Sequence, residues 1–305
     1  MFFETLITLL NSNFPSYLII LFLTTVSLIV ASIFDIKTRE VPDLLNYGLI
    51  FAGIGLRFIY SAVTFDWSFL LAGLAGLGVF FALALILFYA GQWGGGDSKL
   101  LMGMGALFGI KFNLNSFFEN SVDNFIINFI INMFIAGAIY GFIWSSGLLI
   151  IHRKKFSAAF LEKIHDKNIK IMKIVMFGIV FLLLIGAILA RDSVYNIILF
   201  AFAIIVYLTF YLWLFVKTIE TVCMIKKIPP NKLTEGDWIA NEVYVHGKYI
   251  CGPKDLGIEK DQIVRLKKLK VRFVLVKEGI PFIPSFLFGF IITLVFGNWW
   301  MRFIL

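Results

Sequence analysis

Eight stretches of this chain are apolar over lengths that water-soluble helices rarely sustain. The first, residues 16–34, reads SYLIILFLTTVSLIVASIF and contains no charged residue. A helix rises 1.5 Å per residue, so about 20 such residues cross a hydrocarbon core about 30 Å thick. Further runs fall at residues 44–63, 68–91, 97–111, 123–151, 172–190, 195–216 and 282–304. The fourth is short and rich in small residues, with Gly105 and Gly109 at the spacing that lets helix backbones approach. In lipid the backbone must satisfy its own polar groups, which makes helices of these runs. Composition agrees: 60% of the 305 residues are hydrophobic and 15% are charged, against about 25% charged in a soluble domain. The expected fold is an all-α polytopic membrane protein of about eight transmembrane helices, with a small cytoplasmic α+β module. The expected divisions are a four-helix membrane core at 1–114, additional membrane helices at 115–216, a soluble module at 217–281 and a final helix at 282–305.

Lysine and arginine set the orientation. With the N-terminus outside, the loops 35–43, 91–99, 152–173 and 217–280 fall inside and hold 23 of the 27 basic residues. The remaining Arg57, Lys111, Arg191 and Arg302 fall at or near the outer face. The net charge of +8 therefore reports topology, and no nucleic-acid partner is expected. The basic loop 152–173 and the soluble module are expected to lie on anionic membrane lipids. Two cysteines and three histidines are too few and too scattered for a zinc site or a disulfide framework. Cys223 and Cys251, on the cytosolic side, are expected as free thiols. Residues 1–15 lack a basic n-region and an A-x-A site, so no cleavable signal is expected.

Two aspartates stand out against this background. Asp35 ends the first apolar run in FDIKTREVPDLLNY, residues 34–47, and Asp97 follows three glycines in GQWGGGDSKLL, residues 91–101. Two membrane crossings separate them, so both belong to the same face at helix ends. Acids at the edge of a span are functional candidates by default. An isolated Asp at a helix end also serves simply as a cap; the joint placement argues for more. Two close carboxylates share one proton. The ionised member can activate a water, while the protonated member hydrogen-bonds a scissile carbonyl. Such chemistry needs no metal and no cofactor. The glycines, Gly95 and Gly96 above all, would let an extended substrate strand approach. Lys99 is either a charge partner for the pair or an interfacial lysine. Thr38 either bonds Asp35 or caps the loop. Pro42 suits the first position of the second helix.

At these residues the sequence resembles a family. The pattern D-x-x-T-x-x-x-P at Asp35, Thr38 and Pro42, followed by G-G-G-D-S-K-L at Gly94–Leu100, is similar to the type IV prepilin peptidases, membrane aspartyl proteases of the GxGD type. VKEGIPFIPSFLFGFI, residues 276–291, and the polar segment before it resemble the archaeal branch with its preflagellin peptidases. The resemblance covers 16–111 and 217–304, and residues 112–216 poorly. It implies that Asp35 and Asp97 are the catalytic pair and that the substrates are pilin-like or flagellin-like precursors with short basic leaders. About two extra spans favour pilin-like precursors. The bacterial enzymes' cysteine-rich domain and methyl-donor motif have no counterpart here, so the resemblance implies peptidase activity only.

A basic leader meeting a basic inner face needs local acids. Glu40 and Asp43 beside Asp35 are candidates to dock it; alternatively Asp43 sits at a helix N-terminus and Glu40 balances Lys37 or Arg39. In the polar segment, WIANEVYVHGKYI suggests a hairpin about His246–Gly247–Lys248. Ile258, Ile263, Leu266 and Leu269 recur at helical spacing. Two other functions remain open. A signal-peptide-peptidase-like GxGD protease would want a Pro-Ala-Leu motif, which the sequence lacks. A transporter or channel using Asp35 and Asp97 as an ion pathway would place acids mid-span, and neither lies there.

Overall fold

The computed structural model describes residues 15–110, 125–190 and 192–303. Among the described residues, each of the eight apolar runs is mainly helical, and the chain is the polytopic helical membrane protein expected from its sequence. The helices are α1 Pro15–Thr38, α2 Asp43–Thr64, α3 Ser68–Tyr89, α4 Gly95–Phe108 and α5 Phe125–Ile151. They continue with α6 Arg153–His165, α7 Lys167–Leu189, α8 Ser193–Cys223, α9 Lys260–Lys268 and α10 Ile283–Phe296. Six of these are long and apolar enough to cross a membrane. Two shorter helices, α4 and the apolar α10, have 14 residues each, or about 21 Å at 1.5 Å per residue.

The described residues form two compact units. One takes in the chain through Phe142 and from Gly279 onward; the other is Ile143–Glu278. The first unit is therefore built from α1 to α4, the first part of α5, and α10, so it draws on residues 125–142, which the sequence groups with the additional helices.

Within this unit α4 is central. Most of its residues from Ser98 to Leu107 are buried, as befits a helix apolar on all sides. It packs against α2 and α3. A Cβ placed on Gly105 would stand 2.5 Å from the Gly76 carbonyl oxygen, so the α3–α4 crossing depends on both residues lacking a side chain. Gly109 shares that role, since a Cβ there would stand 2.9 Å from the Ala72 backbone, and it also ends α4 with a φ of 69°. On α2, Asn46, Leu49, Gly53, Arg57 and Ser61 form the buried face. A core of Leu100, Leu101, Met104, Phe125, Phe129, Phe286 and Phe290 joins α4, α5 and α10.

Arg57, one of the four basic residues outside the expected inner loops, is engaged inside the bundle. It is 1% exposed. Its Nε donates to the Leu107 carbonyl at 3.0 Å, and its Nη1 to that of Phe69 at 2.7 Å. Nη2 donates to Leu107 and Phe108. The guanidinium also lies over the Phe69 ring. The carbonyls at a helix C-terminus have no partner within the helix, and Arg57 supplies one from a neighbouring helix.

In the second unit the basic loop 152–173 is largely helical. Phe156 and Phe160, one turn apart in α6, pack with Phe215, Ile219 and Cys223 of α8. The α8 helix runs to Cys223, well past its expected end at 216. The polar segment is the expected α+β module. Strands β1 Ile225–Ile228 and β4 Val274–Lys277 pair antiparallel, as do β2 Val243–Val245 and β3 Lys248–Cys251. His246 and Gly247 take positive φ at the hairpin tip, where a two-residue turn requires it. Ile258, Ile263 and Leu266 are buried with Cys251. Leu269 is not part of that stripe: α9 ends at Lys268, and Leu269 is exposed beside the left-handed Lys270. Both cysteines are free thiols.

Candidate active site

Asp35 lies in the last turn of α1 and Asp97 in the first turn of α4, so the two acids come from different helices at one end of the bundle. Two contacts fix this end. Gly96 lies against Val41, whose side-chain atoms begin 3.3 Å from where a Cβ would stand. Lys99 reaches Asp43 across the α2–α4 gap at 2.6 Å.

The local folding follows from the residues. Thr38 closes α1, its hydroxyl donating to the carbonyls of Phe34 at 2.9 Å and Glu40 at 3.1 Å. It therefore caps the loop, one of its two expected roles, and does not bond Asp35. Arg39 then takes a left-handed conformation with φ 62°, and its N–H donates to the Asp35 carbonyl oxygen at 3.0 Å. Pro42 precedes the first residue of α2, one position earlier than expected. On the other motif, the Asp97 carboxylate accepts the Gly94 N–H at 3.2 Å. That bond satisfies a donor at the start of the helix.

Asp35 is buried, with 6% exposure. Its Oδ2 accepts the N–H of Ile283, the first residue of α10, at 2.9 Å, and the Phe282 backbone is a further partner. Arg39 is its interacting cation. Asp97 is partly buried, and the two carboxylates stand within Coulombic reach of each other. No described hydrogen bond joins them directly. One acid is held by the start of α10 and the other by the start of its own helix.

The remaining candidates separate. Lys99 is not a partner of Asp97. Residues two apart on a helix face opposite ways, and Lys99 pairs with Asp43 and lies 5.1 Å from the Tyr47 ring centroid. Asp43, read as a docking acid, is thereby engaged, whereas Glu40 is exposed on the loop. Gly95 is exposed, with open space where a Cβ would be. Gly96 is partly covered by Val41, and its carbonyl accepts from Asn46 at 3.4 Å.

Sequence reasoning missed three participants. Ile283 acts through a backbone N–H, which carries no side-chain signature. The sequence shows Arg39 as a loop charge able to balance Glu40, not as the cation beside Asp35. Trp93, two residues before the last two glycines, is 5% exposed and lies 5.5 Å, centroid to centroid, from both Phe282 and Phe286. It ties the glycine run to the start of α10, and its place inside the motif was the available hint.

The model of the Type IV leader peptidase family matches residues 22–144. Among curated proteins, the chain is similar to the preflagellin peptidase of Methanocaldococcus jannaschii, 35% identical over 89 residues, or 29% of this chain and 37% of that protein. It is 40% identical over 86 residues to the preflagellin peptidase of Methanococcus maripaludis, covering 26% of this chain and 34% of that protein. With the preflagellin peptidase of Methanococcus voltae the identity is 36% over 80 residues, covering 26% and 34%. The chain thus spans roughly a third of the length of the curated relatives it matches. No solved structure matches. The likeness expected from the two motifs stands over residues 22–144, with archaeal relatives, and reaches further into α5 than the sequence suggested.

Proposed function

We propose that this protein is a membrane aspartyl endopeptidase that removes short basic leaders from pilin-like or flagellin-like precursors at the cytoplasmic boundary of the membrane. The observation that carries this is the convergence of Asp35 and Asp97, from two helices, at one end of the bundle and within electrostatic reach of each other. The family likeness over residues 22–144, which contains both acids, supports it.

In the proposed reaction one carboxylate takes a proton from a water as that water's oxygen attacks the scissile carbonyl carbon. The other, protonated carboxyl gives its proton to the carbonyl oxygen as charge develops there. Collapse of the tetrahedral intermediate breaks the C–N bond. The leaving amine takes up a proton from the first acid, the second acid recovers its own from the intermediate's hydroxyl, and the pair is restored. The exposed backbone at Gly95 offers an edge for an extended strand, which suits a bond that must leave its helix before it can be cut.

The test is co-expression with a pilin-like or flagellin-like precursor. The wild-type protein should shorten the precursor, with mass spectrometry placing the cut between the basic leader and the apolar segment. Asp35→Asn and Asp97→Asn should each leave it full length while remaining folded and inserted. Cleavage by either variant near the wild-type rate would remove that residue from the proposed pair.

A further inference from the structure

The last helix, α10, lies outside the residues matched by the family, yet it reaches the candidate site. We propose that the backbone N–H of Ile283 is a positioning group for the Asp35 carboxylate, which makes the N-terminus of α10 a working part of the catalytic centre. The inference rests on the peptidase reading above for its consequence, though the contact itself does not.

The sequence around Ile283 leaves this donor pointing outward. The first N–H groups of a helix have no partner within it. Pro284, the second residue of α10, has no N–H. The Ser285 N–H is already bonded to the Phe282 carbonyl at 2.9 Å. The Ile283 N–H is directed instead to Asp35 Oδ2 at 2.9 Å, in a fully buried setting where Ile283 is 0% exposed. A helix N-terminus favours a carboxylate electrostatically. Together with the Phe282 backbone, this bond holds the Asp35 carboxylate against the start of α10. Trp93 and Phe286, packed on the Phe282 ring, hold the donor in place.

Hydrogen exchange tests the contact without any cleavage assay. Prolines 281 and 284 contribute no amide, so a peptide spanning 280–285 reports on few amides. In Asp35→Ala the Ile283 amide should exchange about tenfold faster or more than in the wild type, while Asp97→Ala leaves it unchanged. Equal exchange in all three proteins overturns the proposal. The positioning role is tested by Ile283→Pro, which removes the N–H at the first position of the helix, against Ile283→Ala, which removes packing and keeps the N–H. Proline there also disfavours the αR backbone of Phe282 before it, so the unfolding temperature of that variant is measured alongside. The proline variant should lose about tenfold more kcat than the alanine variant, with KM within about twofold. Equal losses would reduce Ile283 to a packing residue. Normal cleavage by Asp35→Asn would instead sink the peptidase reading and leave the exchange result standing.

Discussion

Lys99 and Asp97 are neighbours in sequence that serve different partners. Their separation of two residues turns Lys99 toward Asp43 on α2 and leaves Asp97 facing the site. The acids themselves were legible because a carboxylate in so apolar a chain needs a reason. Their partners were not, since these depend on the helical phase and on a backbone donor 248 residues away from Asp35. With Asp43 engaged by Lys99, Glu40 is the exposed acid on this loop that we propose meets a basic leader. Glu40→Lys should slow cleavage of a basic-leader precursor several-fold, and a precursor whose leader basics are changed to Glu should recover part of that loss in the same variant. Absence of compensation would place leader recognition elsewhere. Gly96 belongs to the same scale. Val41 already sits at contact distance from its missing Cβ, so Gly96→Val should push the α1–α2 loop away from Asp97 and reduce turnover more than thermal stability. Equal loss of both would point to packing alone.

At the scale of elements, helix positions followed from hydrophobic length, and helix ends followed from caps and breakers. What could not be read was which helix sits centrally. The apolar run that became α4 looked like a short span, and its burial on all sides arises only when α2 and α3 close around it. Arg57 shows the same limit: a lone arginine in an apolar run does not disclose its partners until the carbonyls of Leu107 and Phe108 are brought to it. Its loss should therefore act on α4. Arg57→Met leaves those buried carbonyls without their donor, a cost of about 3 kcal/mol or more. Arg57→Lys should recover only part, because an ammonium lacks the planar fork that reaches several carbonyls at once. Thermal unfolding in detergent should rank wild type above Arg57→Lys above Arg57→Met; equal melting of all three would contradict the clamp. The α6 helix was missed because Arg153, Lys154, Lys155, Glu162 and Lys163 break up its apolar residues, although Phe156 and Phe160 are spaced one turn apart.

For the whole molecule, the class was legible from the length of the apolar runs, and the strand-containing module from its polar composition and hairpin turn. The module closes over Cys251, which is 0% exposed. Burial there pushes the thiol up to about 11 from an ordinary value near 9. Because the folded form holds the proton more tightly, its contribution to stability is complete below about pH 9 and is lost as pH rises toward about 11. Native Cys251 should accordingly resist iodoacetamide at pH 8 and react once the module is denatured. Rapid labelling of the native protein would mean the module is open. The central claim, that Asp35 and Asp97 act as one pair, is met most directly by measuring cleavage rates for Asp35→Asn, Asp97→Asn and the double variant with one purified precursor. Groups that act as a unit lose their effect together. The account predicts that the double variant is no slower than either single variant, within about threefold. A double variant slowed by the product of the two single losses would mean that the aspartates act independently.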